Sequence, residues 1–326
     1  MITKKPFGVT KDGVQVTAYT ITNGRGIVVT VLDYGATLQS VVLPCREGPL
    51  DVVLGYDTIE EYEQNDGYLG ASIGRFAGRI PDAMLRIGDR IFPVTANEGK
   101  HHLHGGRMGL DRKVWTAGIE NESVVLTVIS PDGEEGYPGN VLFTASYTLT
   151  DQILTISLSG ESDRFTAWNP TNHAYWNLDG HASGDTRSHR LEIPAERYVP
   201  VGSDGIPTGK ATSTARTRFD FRTLREIGDT YDNSYILSGN PIRLRGKSGI
   251  EMIMRTNCSA VQFYNASFLS ERKGKCGAVY RPFGAVCLEP EGRQTMPGMP
   301  VETENVLTPA RPAERVTKYQ FIYEER

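Results

Sequence analysis

Short runs of apolar or alternating residues, rich in valine, isoleucine and threonine and each closed by turn residues, recur along this chain. Examples are 14–21, 26–32, 124–129, 141–149, 153–158, 261–264 and 319–323. A side-chain period of two over such short lengths is the signature of half-buried strands, so the pattern predicts an all-β protein. Between Leu126 and Leu158, turns at Ser130-Pro131-Asp132-Gly133 and Leu149-Thr150-Asp151-Gln152 predict strands that pair as an antiparallel meander. Helix signals are scarce. The best one runs from Asp57 to about Asn65, with Asp57 as cap and Glu60 returning a bond to it. No fixed-period repeat is visible, which argues against solenoids and propellers.

A chain of 326 residues exceeds the average domain, yet its 35 glycines and 18 prolines are scattered and no linker-like tract divides it. One large β domain, residues 1–326, is therefore expected. The net charge is −4 with both signs interleaved, which provides no basic field for nucleic acid or an anionic membrane. The first residues lack a leader-like apolar run and no segment reaches membrane-spanning length, so the cytoplasm is the expected compartment. Cys45, Cys258, Cys276 and Cys287 form no Cys-x-x-Cys pair and are expected as free thiols.

Three segments carry chemistry. His101-His102-Leu103-His104-Gly105-Gly106 holds three of the six histidines and ends in glycines that suit a close approach of backbone to a ligand. His101 and His102 point to opposite faces of an extended chain, and no carboxylate or cysteine is spaced nearby to complete a metal site. No metal is expected. The segment 169–178, which contains Asn172, His173, Tyr175 and Trp176, mixes polar groups and rings as a sugar requires. A satisfied core histidine would read the same way. Glu289 follows the apolar run 285–288, where a carboxylate is costly unless it is functional or paired with an arginine. Pro290 should end that strand and leave Glu289 at its tip. Arg75, Arg79, Asp232 and Gln262 are candidates to clamp hydroxyls, or else surface ion pairs and turn caps.

Taken in order, the segments resemble the galactose mutarotase, or aldose 1-epimerase, family over nearly the full length. The matching stretches are 54–62, the Gly-Arg-x-Ala-x-Arg-Ile run at 74–80, Leu103-His104-Gly105-Gly106, 132–140, Thr171-Asn172-His173, Val261-Gln262-Phe263-Tyr264 and Leu288-Glu289-Pro290. The resemblance implies a large antiparallel β-sandwich of the supersandwich kind with an open cleft for a monosaccharide, no metal and no organic cofactor. It implies Glu289 as catalytic base and His173 as catalytic acid, with Arg79, His104, Asp232 and Gln262 holding the sugar. Anomer exchange needs only a proton removed from the anomeric hydroxyl and one delivered to the ring oxygen. At ordinary values of about 4.3 and 6.5, Glu289 is ionised at neutral pH and roughly a quarter of His173 is protonated. A neighbouring carboxylate is expected to raise the histidine further.

Departures from the family pattern cluster near the expected cleft. Gly78 stands where asparagine is usual, His101 where asparagine is usual, and Trp176 where phenylalanine is usual. Residues 292–299 replace a stretch containing Pro-Asp-Ala. A lost amide at 78 and a larger ring at 176 are expected to alter sugar preference by removing a hydroxyl contact and reshaping the pocket wall. Two other readings use the same residues: a glycoside hydrolase built on Asp232 and Glu289, and a non-catalytic sugar-binding module. The oligomeric state, monomer or homodimer, is not readable from sequence.

Overall fold

A computed structural model describes residues 1–64 and 66–324. The alternating runs become antiparallel strands in three principal sheets of nine, six and five strands. The meander forms as expected, with Ser123–Ser130, Val141–Thr150 and Ile153–Ser162 paired in unbroken register. Ala313–Ile322 adds to the last of these and joins it to Glu251–Thr256 in the nine-stranded sheet.

The period of two decides which way each strand faces. Val141–Thr150 alternates buried and less buried residues along its whole length, and Val141, Phe143, Ala145, Tyr147 and Leu149 all enter one core. The six-stranded sheet meets them with Trp176, Leu288, Phe263, Val261 and Tyr235. Trp176 packs 5.0 Å from Tyr319 and 5.8 Å from Phe321 between ring centroids, fastening the two sheets face to face. Val29, Val31, Leu38 and Val41 of the five-stranded sheet join the same core.

The expected helix is shorter and starts later. It spans Ile59–Glu63, capped by Thr58, whose hydroxyl accepts from the Glu61 amide while the Glu61 carboxylate accepts from the Thr58 amide. The reciprocal capping box thus belongs to Thr58 and Glu61, not to Asp57 and Glu60, because a hydroxyl three residues before a glutamate fits both bonds. Asn65 lies outside the described residues. The four cysteines form no disulfide.

Pro290 does not end its strand. Val286–Glu291 continues through it, with Val261 opposite Pro290 and Ala260 opposite Glu291. On its other side the strand pairs with Tyr175–Trp176 only at Cys287 and Val286. Beyond Cys287 it therefore has a partner on one flank, the setting in which a sheet tolerates proline.

Candidate active site

The six-stranded sheet turns one face to the core and the other to a cleft of about 280 Å³. On the strand Val286–Glu291, next to the sheet's edge, Val286 and Leu288 enter the core, so Glu289 and Glu291 share the cleft face two residues apart. Gln262 lies opposite Glu289, and Ser234 lies opposite Gln262, so three strands supply one lateral row. Asp232 shares this face and accepts from Gln262 Nε2 at 2.6 Å. Ser234 Oγ donates to Glu291 Oε1 at 3.0 Å. Local alternation within a sheet thus fixes the carboxylates and the amide relative to one another.

Loops roof this face. His173 follows Thr171–Asn172, its amide donating to Ala71 and its carbonyl accepting from Gly70. Its ring lies between Tyr175, stacked at 4.9 Å, and Tyr68, stacked at 6.1 Å. Nε2 of this clamped ring stands 3.7 Å from Glu289 Oε1. That separation is too long for a good hydrogen bond, but it lets both groups face one small reacting centre. His104, in the left-handed region at φ 53°, crosses edge-on to both Tyr68 and His173. Arg79 grips Glu98 through two bonds of 2.6 and 2.8 Å and lies 3.9 Å from Asp232.

Arg79, His104, His173, Asp232, Gln262 and Glu289 therefore line one cleft. The family model for aldose 1-epimerase matches residues 17–307. This chain belongs to the aldose 1-epimerase family. It is similar to the aldose 1-epimerase of Escherichia coli, 33% identical over 96% of this chain and 97% of that one. It is also 33% identical to the galactose mutarotase of Homo sapiens over 90% of each chain. The solved galactose 1-epimerase of Lactobacillus acidophilus superimposes with a TM-score of 0.87 at 28% identity, covering 100% of this chain and 99% of that one. The chain is accordingly an epimerase, an isomerase acting on sugars, with an antiparallel β fold.

The electrostatics of this epimerase differ from those expected of isolated side chains. Burial pushes the Glu289 carboxyl well above the usual range, reinforced by Glu291 and Asp232 and opposed by Arg79. Burial also pulls His173 down to about 4. His173 is lowered where a rise was expected, and the Glu289 carboxyl lies above its ordinary range, for one reason. In a dry site each group is penalised for its charged form, which raises a carboxyl and lowers an imidazole. Burial thus raises the proton affinity of the carboxyl and lowers that of the imidazole across the 3.7 Å that separates them.

His104, His173 and Glu289 also converge, with one ligating atom of each within 4.8 Å of the others. Sequence spacing offered the histidines no carboxylate; the fold delivers Glu289. The donor set nonetheless does not suit a cation. His104 Nδ1 accepts from the Gly78 amide at 3.2 Å, so the neutral ring carries its proton on Nε2 and presents a donor to the cleft. A metal on Nε2 would force the proton onto Nδ1 against an N–H group, the reverse of the usual supporting arrangement. Burial, and then His173 and Arg79, also hold the pKa of His104 well below its usual value.

Several sequence candidates prove structural. Arg75 is buried and donates to Ser130, Pro131, Pro138 and Thr166, away from the cleft. His101 accepts from the Asp82 amide and His102 bonds Thr95 and Tyr137. The glycines after His104 serve the protein rather than a ligand: a Cβ on Gly105 would lie 1.8 Å from the Gly74 carbonyl, and one on Gly106 would lie 2.1 Å from Glu135. Trp176 does not reshape the cleft wall. It alternates with Tyr175, so the tyrosine takes the cleft side and the tryptophan the core. Cleft residues not singled out from sequence include Tyr68, Arg272, Glu291 and Gln294. The period of two points to Tyr175 from His173 and to Glu291 from Glu289, whereas Tyr68 and Gln294 arrive on loops without a local signal.

Proposed function

We propose that this protein is a mutarotase that interconverts the α and β anomers of a free aldose, glucose or galactose first, with Glu289 and His173 as its proton-transfer pair. The observation that carries this reading is the 3.7 Å approach of a clamped imidazole nitrogen to a buried carboxylate oxygen. Removal of the anomeric proton and protonation of the ring oxygen break the bond between C1 and that oxygen, giving the open-chain aldehyde. Rotation about the C1–C2 bond presents the other carbonyl face, and closure reverses both transfers. The net proton count is unchanged, so a pair that holds one proton suffices.

Sugar binding moves the proton within the pair. The anomeric hydroxyl donates to Glu289, stabilising the carboxylate, and the shared proton resides on His173, which then acts as acid toward the ring oxygen. His104, with its Nε2 donor, and Arg79, Asp232 and Gln262 hold the remaining hydroxyls. The residues 1–326 act as one domain, as a monomer or homodimer; a core shared by all three principal sheets supports the first point. Unpaired cysteines fit a reducing compartment such as the cytoplasm. No helix among the described residues is long and apolar enough to cross a membrane.

Polarimetry of freshly dissolved α-D-glucose and α-D-galactose tests this reading. Wild type should accelerate at least one of them and Glu289→Gln should not; equal rates for the two proteins would remove Glu289 from the mechanism. A glycoside hydrolase gains no support from the geometry, because Asp232 is engaged by Gln262 while the group facing Glu289 is a histidine. Release of phenol from an aryl glycoside would reverse that judgement.

A further inference from the structure

Gly78 has φ 76° and lines the cleft where its missing side chain leaves a gap. A Cβ at this position would lie 3.8 Å from Gln294 Nε2 and 3.8 Å from Glu291 Oε2, with nothing closer. The gap is thus bordered by a donor from a loop and an acceptor from the sheet. Both are held in place. Gln262 donates to Asp232, which turns its Oε1 toward Gln294, and Gln294 Nε2 donates to that oxygen at 3.0 Å. Glu291 is fixed by Ser234 through Oε1 and held further by the Asn169 side chain, with Oε2 bordering the gap. Gln294 Oε1 is buried and has no hydrogen-bond partner among the described residues. A buried amide oxygen without a partner is destabilising, and such groups call for an explanation.

A sugar hydroxyl is the group that answers this arrangement. It accepts one hydrogen bond and donates another, and the gap offers one of each. We propose that Gln294, backed by Glu291, reads one ring hydroxyl over Gly78 and thereby sets which aldose the enzyme prefers. The inference rests on the mutarotase reading above and deepens it. Gln294 lies in the loop segment that departs from the family pattern, and Gly78 is the position at which an amide is missing.

The test compares wild type, Gln294→Leu and the double variant Gly78→Asn with Gln294→Leu on galactose, glucose and their monodeoxy analogues. Mutarotation rates and equilibrium affinities by titration calorimetry are both measured. Gln294→Leu should lower kcat/KM on the preferred sugar by about 10- to 100-fold, through KM rather than kcat. On the one analogue that lacks the recognised hydroxyl, wild type and Gln294→Leu should perform alike. Asparagine tolerates the left-handed backbone at 78, so the double variant should recover part of the loss. A loss shared equally by every analogue would show that Gln294 acts only by positioning Gln262, and unchanged affinities for all sugars would show no role; either result overturns the inference. Failure of wild type to accelerate any sugar would instead overturn the mutarotase reading, and calorimetry would still decide whether Gln294 binds a hydroxyl.

Discussion

The nine-stranded and six-stranded sheets follow the same rule of alternation and put it to different uses. In the larger sheet, one face feeds the core and the other carries partly exposed threonines, serines and charged residues, as along Ile153–Ser162. In the smaller sheet, every residue of Val286–Glu291 is buried. Its second face is roofed by the loops that carry Tyr68, His104, His173 and Gln294, so the polar half of the alternation is taken out of water with it. Surface carboxylates become buried ones, and their proton affinity changes accordingly. A site of this kind is a solvent face covered over, and its chemistry comes from the covering as much as from the strand.

The largest effects should come from the covered face. Glu289→Gln and His173→Asn should each lower kcat by about 10²- to 10⁴-fold in mutarotation assays, with the melting temperature maintained or raised. Retention of activity in either variant would break the comparison at its centre. The pH dependence of kcat/KM sharpens it. On the proposed mechanism the active free enzyme holds one proton on the pair, so activity should fall on the acid side near the His173 value of about 4, where a second proton binds. It should fall again on the alkaline side well above the usual glutamate range, where the pair loses its only proton.

In the larger sheet the expected losses are of stability, not of chemistry. Leu154 is fully buried in the shared core, and Leu154→Ala should cost about 2–5 kcal/mol in denaturant titration while kcat of the folded enzyme is unchanged. Glu291 tests the covering itself. Burial pushes its carboxyl up to about 7, above its value in the unfolded chain. As pH rises through this window the unfolded state releases its proton first, so the native state loses stability. Glu291→Gln should remove that loss, gaining at most about 3 kcal/mol relative to wild type at pH 8 and little at pH 5. The smallest effect belongs to the uncovered face, where Thr155→Val should change stability by no more than about 0.5 kcal/mol. A larger change would mean that this face is not free.

Much of this architecture was legible in the chain. The strand runs, the meander and the alternation that puts Glu289 beside Glu291 and Tyr175 beside His173 follow from a period of two, which is local. The short helix was legible within two residues, its cap displaced because two adjacent residues both suit that role. The ordered set of motifs also pointed to the aldose epimerase family, and the segments it named meet in one cleft. What alternation alone could not say is which face would be covered. Trp176 was expected at the cleft and lies in the core, and Arg75 was a candidate clamp that instead holds backbone carbonyls. Both depend on a neighbour distant in sequence.

Tertiary structure alone decided the burial that shifts the proton affinities of the pair, the donor tautomer of His104, and the meeting of Gln294 with Glu291 over Gly78. The physical reason is common to all three. Residue type and spacing are properties of the chain, whereas desolvation and hydrogen-bond direction are properties of the space between segments, which exists only after the loops close over the sheet.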